Sequence, residues 1–444
     1  MNKPETTPPT YFHHIRDGTQ LSKAEEYRST QTDGGRVVCV FLARGTYERL
    51  GTPLSLRPSD PAFQDGMRAR GKLPTLQFAG LPPVPGLNDP TLGHWGTGWN
   101  HGTPEPDAMI LVADDSTDDV TAGLEATEAT INGSGARVVN VERGEAQRRI
   151  QPGGNPKGEG LEHFGYVDGR SQPLFLQEDI DGEEKAVWNP AFPPAQFLVT
   201  DPGGRTPFSC GSYFVFRKLE QNVKRFKAQE DHLAELLKLP PADRERAEAM
   251  VVGRFEDGTP VVQHAAAVTG KLPNDFDYSS DTAGLLCPFR GHIRKTNPRS
   301  KTEGGGPPNL KPERSRIMAR RGITYGQRKP RPPGADFPEN DLPEKDVGLL
   351  FMAYMADITE QFEFTQAAWA GNPDFQQSNT GIDAVIGEQP NRAGTPDVRW
   401  QDGPGGAGDR TGHTTDFDFK TSVTLQGGEY FFAPSISFLH SAKP

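Results

Sequence analysis

One histidine lies in a stretch whose residue types suit a metal-bearing cofactor. The stretch Cys287–Arg299 reads Cys-Pro-Phe-Arg-Gly-His-Ile-Arg-Lys-Thr-Asn-Pro-Arg, and His292 is at its centre. The preceding segment Asp281–Leu286 becomes apolar, whereas the following residues are basic and include Arg294. Haem combines an iron that binds a neutral imidazole nitrogen with propionates that attract arginine, so the pattern suits haem. The alternative is an ordinary core histidine that is held by hydrogen bonds.

Two further stretches contain side chains that are able to act on a ligand bound at His292. In Phe164–Pro173, which reads Phe-Gly-Tyr-Val-Asp-Gly-Arg-Ser-Gln-Pro, Asp168 is followed directly by a glycine. The other stretch reads Met-Ala-Arg-Arg-Gly-Ile-Thr-Tyr-Gly, in which Arg320 and Arg321 precede a Tyr-Gly pair. Taken alone, an Asp-Gly pair indicates a turn, and a pair of arginines indicates a solvated surface.

Together these stretches resemble the three signatures of the dye-decolourising peroxidases. In that family a Gly-x-x-Asp-Gly motif supplies a distal acid, and a histidine in a Cys-Pro-Phe-x-x-His-Ile-Arg-Lys-Thr-Asn-Pro-Arg run is the proximal iron ligand. An arginine shortly before a Tyr/Phe-Gly pair supplies a distal cation. The motifs occur here in the family's order, and the resemblance extends from about residue 35 to the C-terminus. It implies a haem peroxidase that reduces hydrogen peroxide and oxidises dyes, phenolic or other organic donors in one-electron steps.

The resemblance implies two catalytic residues on the distal side. Asp168 is expected to take a proton from one peroxide oxygen and return it to the other, because a carboxylate within hydrogen-bond reach acts as general acid and base. Arg320 is expected to stabilise the charge that develops as the O–O bond breaks. The spacing to the Tyr-Gly pair favours Arg320 over Arg321, which we expect to face a propionate or solvent.

On the proximal side the resemblance implies that His292 is the iron ligand. Its second ring nitrogen is then expected to donate a hydrogen bond to a carboxylate or carbonyl, which raises the basicity of the ring. Glu363 and Glu429 are the candidates for this partner. His264, in another apolar stretch, is the main rival for the iron, but none of the family's motif surrounds it.

The cofactor that the resemblance implies is haem b, one per chain, held mainly by the C-terminal half. Arg299 is a candidate partner for a propionate, and Gly169 is expected to allow close approach to the haem. Leu349 and Phe351 lie on one side of a predicted strand because side chains alternate, and in the family this strand lines the distal pocket. Ordinary sheet core is the alternative for both residues.

Composition and charge restrict the class of protein. The chain has 444 residues, with 48 basic and 59 acidic side chains and a net charge of −11; this balance argues against nucleic acid or an anionic membrane as partner. Cys39, Cys210 and Cys287 are far apart, which argues against a disulfide framework and for a reducing compartment. The chain has no apolar signal near its N-terminus and no apolar run of about 18 residues. We therefore expect a cytoplasmic protein without a membrane span.

Alternating strand and helix patterns predict an α+β fold. Strands are predicted at Arg36–Leu42, Ala108–Ala113, Arg137–Val141, Ser212–Lys218, Val347–Tyr354 and, after a turn at Gly427–Gly428, Glu429–Pro434. Helices are predicted from Asp118 or Asp119 to about Ile131, from Val223 to Leu237, at Asp243–Val252, and where Ile358, Phe362, Thr365 and Trp369 share a face. Disordered loops are predicted at Ser300–Glu313, Gln327–Asp346 and Glu388–Asp416.

The resemblance implies two ferredoxin-like halves with antiparallel sheets. We expect an N-terminal arm at residues 1–34, a first half at 35–210 that carries the distal aspartate, and a haem-binding half at 211–444. A non-catalytic haem-binding protein on the same fold is the alternative function, but it needs neither Asp168 nor Arg320. A ferredoxin-like interaction module without a cofactor is a third hypothesis, and such a protein is colourless when purified. The sequence leaves the oligomeric state open.

Overall fold

The computed structural model of the chain describes residues 29–30, 34–133, 136–149, 158–268, 274–299, 311–328, 341–388, 399–402, 413–417 and 419–441. Its strands are β1 Val37–Leu42, β2 Thr75–Leu76, β3 Val84–Pro85, β4 Ala108–Ala113, β5 Gln147–Arg149, β6 Glu159–Leu161, β7 Val199–Thr200, β8 Cys210–Gln221, β9 Ala319–Arg320, β10 Ile323–Tyr325, β11 Gly348–Met355, β12 Arg399–Asp402, β13 His413–Asp416 and β14 Val423–Ala433.

The helices are mostly short. They are α1 Arg44–Arg49, α2 Pro61–Asp65, α3 Met67–Arg70, α4 Thr117–Gly133, α5 Gln177–Asp181, α6 Val223–Leu236, α7 Arg244–Val252, α8 His292–Thr296, α9 Lys311–Arg314 and α10 Ile436–Ser441, with a π-helix at Ile358–Ala370 and single 3₁₀ turns at Leu54–Leu56, Leu92–His94, Pro194–Gln196 and Pro241–Asp243. Side-chain caps fix the N-termini of two of the longer helices. The side chain of Asn222 accepts a hydrogen bond from the Arg225 amide at the start of α6, and that of Asp357 accepts one from the Glu360 amide at the start of the π-helix.

One antiparallel sheet of eight strands lies at the centre of the fold. Its order is β10–β11–β8–β14–β1–β4, with β7 paired to β8 and β9 paired to β11. The long strands β8 and β14 are neighbours, and Leu42 of β1 pairs with Phe432 of β14. The sheet therefore takes strands from both halves of the chain. The boundaries proposed at residues 34 and 210 stay a prediction.

Both faces of this sheet are apolar, since alternate side chains of β8 and β14 enter different core clusters. Val215 and Tyr430 belong to the cluster on one face. Phe214 and Phe431 belong to the cluster on the other face. A further cluster packs around α6 and α7 and includes buried Cys287, so it anchors the segment that carries His292.

The predicted α+β class with an antiparallel sheet is confirmed, and most predicted elements are present with small changes in their ends. The strand predicted at Arg137–Val141 is wrong: this segment is irregular, and its three valines remain between 37% and 41% exposed, so no partner strand buries them. The turn predicted at Gly427–Gly428 is instead part of β14, where the pairing register shifts after Leu425. None of the helices in the described ranges is long and apolar enough to cross a membrane.

The predicted arm and loops fall largely on residues that the structure does not describe. This holds for most of residues 1–34 and for most of the loops predicted at Ser300–Glu313 and Gln327–Asp346. In the third predicted loop, Glu388–Asp416, the described residues include β12 and β13, which pair with each other. That part of the loop prediction is therefore wrong.

Candidate active site

His292 is the first residue of α8, and a buried carboxylate fixes its ring. Nδ1 of His292 lies 2.9 Å from Oδ2 of Asp383. The other oxygen of Asp383 accepts hydrogen bonds from the amides of Val385 and Ile386 at 2.8 and 3.0 Å. Burial acts to raise the pKa of the Asp383 carboxyl, but the charge and hydrogen bond of His292, with the two amides, lower it below its usual value.

This arrangement leaves the second ring nitrogen of His292 available. An ionised carboxylate only accepts hydrogen bonds, so Nδ1 donates, and in the neutral ring Nε2 then carries the lone pair. Within the described part of the chain no hydrogen bond reaches Nε2, and the side chain is 23% exposed. A neutral imidazole with one nitrogen fixed and the other free is the form that binds a metal.

The carboxylate partner of His292 is therefore neither of the two predicted residues. Glu363 is held by Arg70 and by the hydroxyl of Tyr430, which donates to it at 3.0 Å. Glu429 accepts hydrogen bonds from backbone amides, including that of Met67 at 2.9 Å. Both carboxylates are occupied in linking the π-helix and β14 to the N-terminal helices.

The basic residues directly after His292 have structural partners. Arg294 forms a buried ion pair with Asp281 at 2.8 Å, and its guanidinium lies over the rings of Tyr278 and Phe289. The ammonium group of Lys295 donates to the carbonyl of Asn372 at 2.6 Å. Both side chains are buried, and their polar contacts connect α8 to neighbouring segments of the chain.

Arg299 is fully buried and only partly satisfied. Its guanidinium donates to the carbonyls of Asn274 and Phe276 and to the side-chain oxygen of Asn274, at 2.8 to 3.0 Å. It also lies 4.3 Å from the centre of the Trp188 ring. Burial lowers the pKa of Arg299 to about 9. Its Nε has no hydrogen-bond partner in the part of the chain that the structure describes.

Asp168 is exposed at the end of a mostly buried loop segment, and the backbone of this segment needs glycine at two places. Gly165 and Gly169 have φ angles of +107° and +83°, which L side chains rarely adopt. A Cβ on Gly165 would also come within 2.8 Å of Oε1 of Glu256. The amide of Gly169 donates to Oδ1 of Asp168 at 2.6 Å, and the carboxylate makes no other hydrogen bond to the described residues.

A small cavity opens beside this carboxylate. Its volume is about 250 Å³, and its lining includes Asp168, Gly169, Arg170, Gln172, Leu174 and Asn274. We call it the Asp168 cavity. A carboxylate that is exposed in a cavity and bound only by one amide is free to exchange protons with a small ligand.

A group of buried charged side chains packs against the loop that carries Asp168. The ammonium of Lys227 contacts three carboxylates, those of Glu230, Glu248 and Glu256, at 2.9 to 3.2 Å. The hydroxyl of Tyr166, in the loop itself, donates to Glu230 at 2.5 Å. Burial acts to lower the pKa of Lys227, but the surrounding carboxylates raise it well above its usual value. The loop thus rests on a buried ionic network, which we call the Lys227 network.

The structure separates the two neighbouring arginines. Arg320 of β9 pairs with Ala353 of β11, and paired residues of antiparallel strands share a face, so Arg320 is on the same side of the sheet as Phe351. Gln172, in the loop of Asp168, donates to the carbonyl of Arg320 at 2.9 Å. Arg321 is exposed and lies over the ring of Phe175, 5.4 Å from its centre.

Leu349 and Phe351 lie on one face of the N-terminal half of their strand, which is less buried there than the opposite face. Both are partly exposed, whereas Leu350 and Met352 on the opposite face are 4% and 5% exposed. The ring of Phe351 lies 6.0 Å from that of Phe362 in the π-helix, and this helix also contacts α8. The π-helix therefore connects the face with Leu349, Phe351 and Arg320 to the helix that begins with His292.

Comparisons with known proteins identify the family of the chain. No family model matches the chain. It is 42% identical over 434 residues to the multifunctional dye peroxidase DyP2 of Amycolatopsis sp., covering 95% of this chain and 86% of that protein. It is 31% identical to the dye-decolorizing peroxidase msp1 of Mycetinis scorodonius, covering 86% and 72% of the two chains. The chain belongs to the dye-decolourising peroxidases.

Solved structures support the assignment to this family. The structure of DyP2 from Amycolatopsis sp. superposes with a TM-score of 0.80 at 41% identity, covering 94% of this chain and 85% of that one. A DyP-type peroxidase from Anabaena sp. gives a TM-score of 0.79 at 33% identity, covering 99% and 89%. The protein is thus a peroxidase with the α+β fold of this family, and dye-decolourising peroxidases are haem enzymes.

The residues of this dye-decolourising peroxidase fit a haem. His292 offers one free ring nitrogen, and Arg299 is a fully buried cation in the same segment, which suits a group that carries propionates. His264, the rival for the iron, is partly buried next to Pro260, and no cluster of three metal-binding side chains exists among the described residues.

Three residues of the site were not identified from the sequence. Asp383 fixes His292, and Gln172 ties the loop of Asp168 to Arg320. Arg254 donates both to the hydroxyl of Ser171 and to Asn274, whose side-chain oxygen also binds Arg299, so it links the distal motif to the proximal one. Gln172 lies within the motif and was open to prediction, but no local pattern marks Asp383 or Arg254.

Proposed function

We propose that this peroxidase binds one haem b per chain through His292 and acts on hydrogen peroxide with Asp168 and Arg320. The hydrogen bond from Nδ1 of His292 to the buried carboxylate of Asp383 carries this proposal. Histidines that bind metals almost always donate their other ring N–H to a carboxylate, a carbonyl or water. The carboxylate sets the tautomer, aims Nε2 and raises its basicity.

When bound, haem supplies an iron centre that accepts two oxidising equivalents from peroxide and passes them on singly. Asp168 takes the proton from one peroxide oxygen and delivers it to the other, which leaves as water. Arg320 provides a fixed cation for the negative charge that develops on the departing oxygen. In the complete cycle one hydrogen peroxide, two protons and two electrons from two donor molecules give two molecules of water.

The remaining predicted residues shape the binding site. Arg299 uses its unpartnered Nε to bind a propionate, because a buried N–H without a partner is costly. Gly169 has no side chain, and a Cβ there would meet only Gln172, so the backbone can approach a flat ligand closely. Leu349 and Phe351 form an apolar wall that limits water around the reacting oxygens. Dyes, phenolic and other organic compounds are the proposed electron donors.

The test compares two histidines in haem-loaded protein. After gel filtration we expect the wild type and His264→Ala to keep haem, and His292→Ala to lose most of it. Haem per chain is measured by absorbance, and peroxide-dependent oxidation of guaiacol is measured alongside. Loss of haem from His264→Ala with retention in His292→Ala would show that the iron ligand is assigned to the wrong residue. Haem-loaded wild type that leaves peroxide unconsumed would support the non-catalytic alternative.

A further inference from the structure

One short segment, residues 253–258, contacts both motifs of the proposed site. It follows α7, and a Cβ on Gly253 would lie 3.2 Å from Cβ of Ile293, the residue after the proposed iron ligand. Further along, the carbonyl of Glu256 accepts a hydrogen bond at 3.0 Å from the amide of Val167, the residue before the distal aspartate. We call residues 253–258 the bridging segment, because its main chain packs against α8 at one end and bonds to the distal loop at the other.

Arg254 is the buried cation of the bridging segment. It is 3% exposed, and its Nη1 donates to the carbonyl of Gly258 at 2.8 Å. Its Nη2 donates to the hydroxyl of Ser171 at 3.1 Å and to the side-chain oxygen of Asn274 at 2.8 Å. Ser171 is three residues after Asp168, and Asn274 lines the Asp168 cavity. One side chain therefore connects the bridging segment, the distal loop and a wall of the cavity.

Asn274 also contacts the residue proposed to bind a propionate. Its side-chain oxygen accepts a hydrogen bond from Nη2 of Arg299 at 2.8 Å as well as the bond from Arg254. Both guanidiniums also lie over the ring of Phe276, that of Arg254 at 5.2 Å from its centre and that of Arg299 at 4.0 Å. A displacement of Arg299 therefore changes contacts that Arg254 also uses, and such a contiguous network is able to couple two sites.

The charges of the two arginines make this network sensitive to an anion. Each hydrogen bond from either guanidinium to a described residue goes to a neutral oxygen. Burial lowers the pKa of Arg254 to about 10, and that of Arg299 falls to about 9 although Asp275 and Asp277 act to raise it. Both groups stay protonated at neutral pH, so two buried like charges repel each other across Asn274. An anion at Arg299 offsets this repulsion and stabilises the arrangement.

We propose that Arg254 is a positioning residue for the peroxide step: it fixes the loop of Asp168 relative to α8, and more firmly when the cofactor presents an anionic group at Arg299. This role rests on the proposed function, because it concerns the placement of the acid–base group of the same reaction. Arg254 acts through Ser171 and Asn274 and exchanges no proton itself. The position of the loop matters because a small misplacement of a catalytic group costs a large part of the rate.

The first experiment measures the peroxide step of haem-loaded Arg254→Met by stopped-flow mixing. We expect kcat/KM for peroxide to fall roughly 10- to 100-fold, the cost of a misplaced catalytic group. Haem per chain should equal that of the wild type, since the contact of His292 with Asp383 is untouched. Arg254→Lys keeps the charge but loses the planar fork that reaches three acceptors, so its rate should stay near that of Arg254→Met. A wild-type rate in Arg254→Lys would contradict a positioning role.

Hydrogen exchange of the haem-loaded protein measures the placement of the loop without turnover. The amide of Asp168 donates to the carbonyl of Gly160 at 2.9 Å, and the amide of Val167 donates to the bridging segment, so both report opening of the loop. Peptides that cover residues 161–172 are followed by mass spectrometry. We expect these amides to exchange roughly tenfold faster in Arg254→Met than in the wild type, because local opening becomes easier.

A modified cofactor tests the dependence on an anionic group. Haem dimethyl ester keeps the iron and the ring of haem but has no propionate charge. Wild type loaded with the ester should exchange the loop amides faster than wild type loaded with haem. Arg254→Met should give the same fast exchange with either cofactor, since the residue that transmits the effect is absent. Effects of the ester and of the substitution that do not add are the signature of one shared network.

Arg68→Met is the matched control. Arg68 has the same kinds of contact in another part of the fold: it donates to the carbonyls of Trp99 and Thr103, each at 3.1 Å, and lies over the ring of Trp95. Its removal is expected to lower the melting temperature but to leave the peroxide step and the exchange of residues 161–172 at their wild-type values. Melting temperatures of all variants distinguish a loosened fold from a displaced loop.

Two results would overturn the role of Arg254. One is loop exchange in Arg254→Met that equals that of the wild type. The other is wild-type loop exchange that is the same with haem and with its dimethyl ester. Haem uptake and guaiacol oxidation by the wild type test the proposed function separately. Both stay intact if only the role of Arg254 is wrong, whereas they fail if the proposed function is wrong.

Discussion

The two sides of the site differ in how tightly their key residue is held. On the proximal side, the ring of His292 is bound to Asp383, which is 2% exposed and accepts two backbone hydrogen bonds of its own. On the distal side, the carboxylate of Asp168 is exposed and receives one hydrogen bond, from the amide of the next residue. Side-chain contacts therefore fix the position of His292, whereas the backbone of its loop fixes the position of Asp168.

This difference matches the roles proposed for the two residues. An iron ligand works best when its orientation is fixed, since an outer carboxylate tunes the metal through it. A proton carrier must meet its partner and exchange protons, so hydrogen bonds that saturate the carboxylate work against it. On the distal side the contacts that hold the loop do not involve the Asp168 carboxylate. They are the Lys227 network and the hydrogen bond from Gln172 to the carbonyl of Arg320.

The largest effect is expected from Asp168→Asn. The amide keeps the size and the backbone hydrogen bond but cannot carry the proton, so kcat/KM for peroxide should fall by roughly 10²- to 10⁴-fold. Haem content should not change, because no contact on the proximal side is touched. Stopped-flow mixing of haem-loaded enzyme with peroxide in the absence of donor measures this step. A rate equal to wild type would mean that the exposed carboxylate is only a turn residue.

Arg320→Leu should be the next largest change. Removal of one preorganised donor from a developing charge typically costs about 3–4 kcal/mol, or a roughly 10²- to 10³-fold slower peroxide step. Arg321→Leu is the matched comparison, and we expect it to react with peroxide at the wild-type rate. The opposite pattern, with the slow peroxide step in Arg321→Leu, would show that the face shared with Ala353 does not mark the catalytic arginine.

The stability of the fold around Asp168 should also depend on pH, through His163. This residue is fully buried just before the motif, and Nε2 binds the carbonyl of Tyr325 at 2.8 Å. Burial lowers the pKa of His163 to about 4, although the bond to that carbonyl acts to raise it. Between about pH 6.5 and 4 the unfolded chain therefore binds a proton that the folded chain does not, and stability falls by about 3 kcal/mol as pH decreases.

His163→Gln isolates this contribution. Glutamine does not titrate, so the free energy of unfolding should depend less on pH in the variant than in the wild type across that window. Urea titrations at pH 6.5 and 4.5 give the comparison. If the two proteins lose the same stability between these values, the buried imidazole is not the group that takes up the proton.

The smallest effect is expected from Asp383→Asn. The amide retains the shape but weakens the hydrogen bond to His292, and loss of such an outer partner typically lowers metal affinity by roughly 10- to 100-fold. Transfer of haem to apomyoglobin measures the affinity. Glu363→Gln serves as the control, because that buried carboxylate binds Arg70 and Tyr430 instead. Faster haem loss from the Glu363 variant than from Asp383→Asn would contradict the pairing seen here.

The chemistry of the site was largely determined by local sequence. Three short motifs, through their resemblance to those of the family, predicted roles for His292, Asp168 and Arg320, and these roles stay a prediction. Short apolar runs located β1, β4 and β11, since such a run is a property of neighbouring residues. The valine-rich segment at Arg137–Val141 shows the limit, because composition alone does not reveal whether a partner strand exists.

Only the tertiary structure decided which groups meet. Asp383 is 91 residues from His292, so no local pattern connects them. The register of β9 against β11 places Arg320 on the same face as Phe351, and a shift of one residue would reverse that face. Sequence specifies the reactive groups, whereas burial and strand pairing specify which of them are fixed, which remain exposed, and which partners hold them.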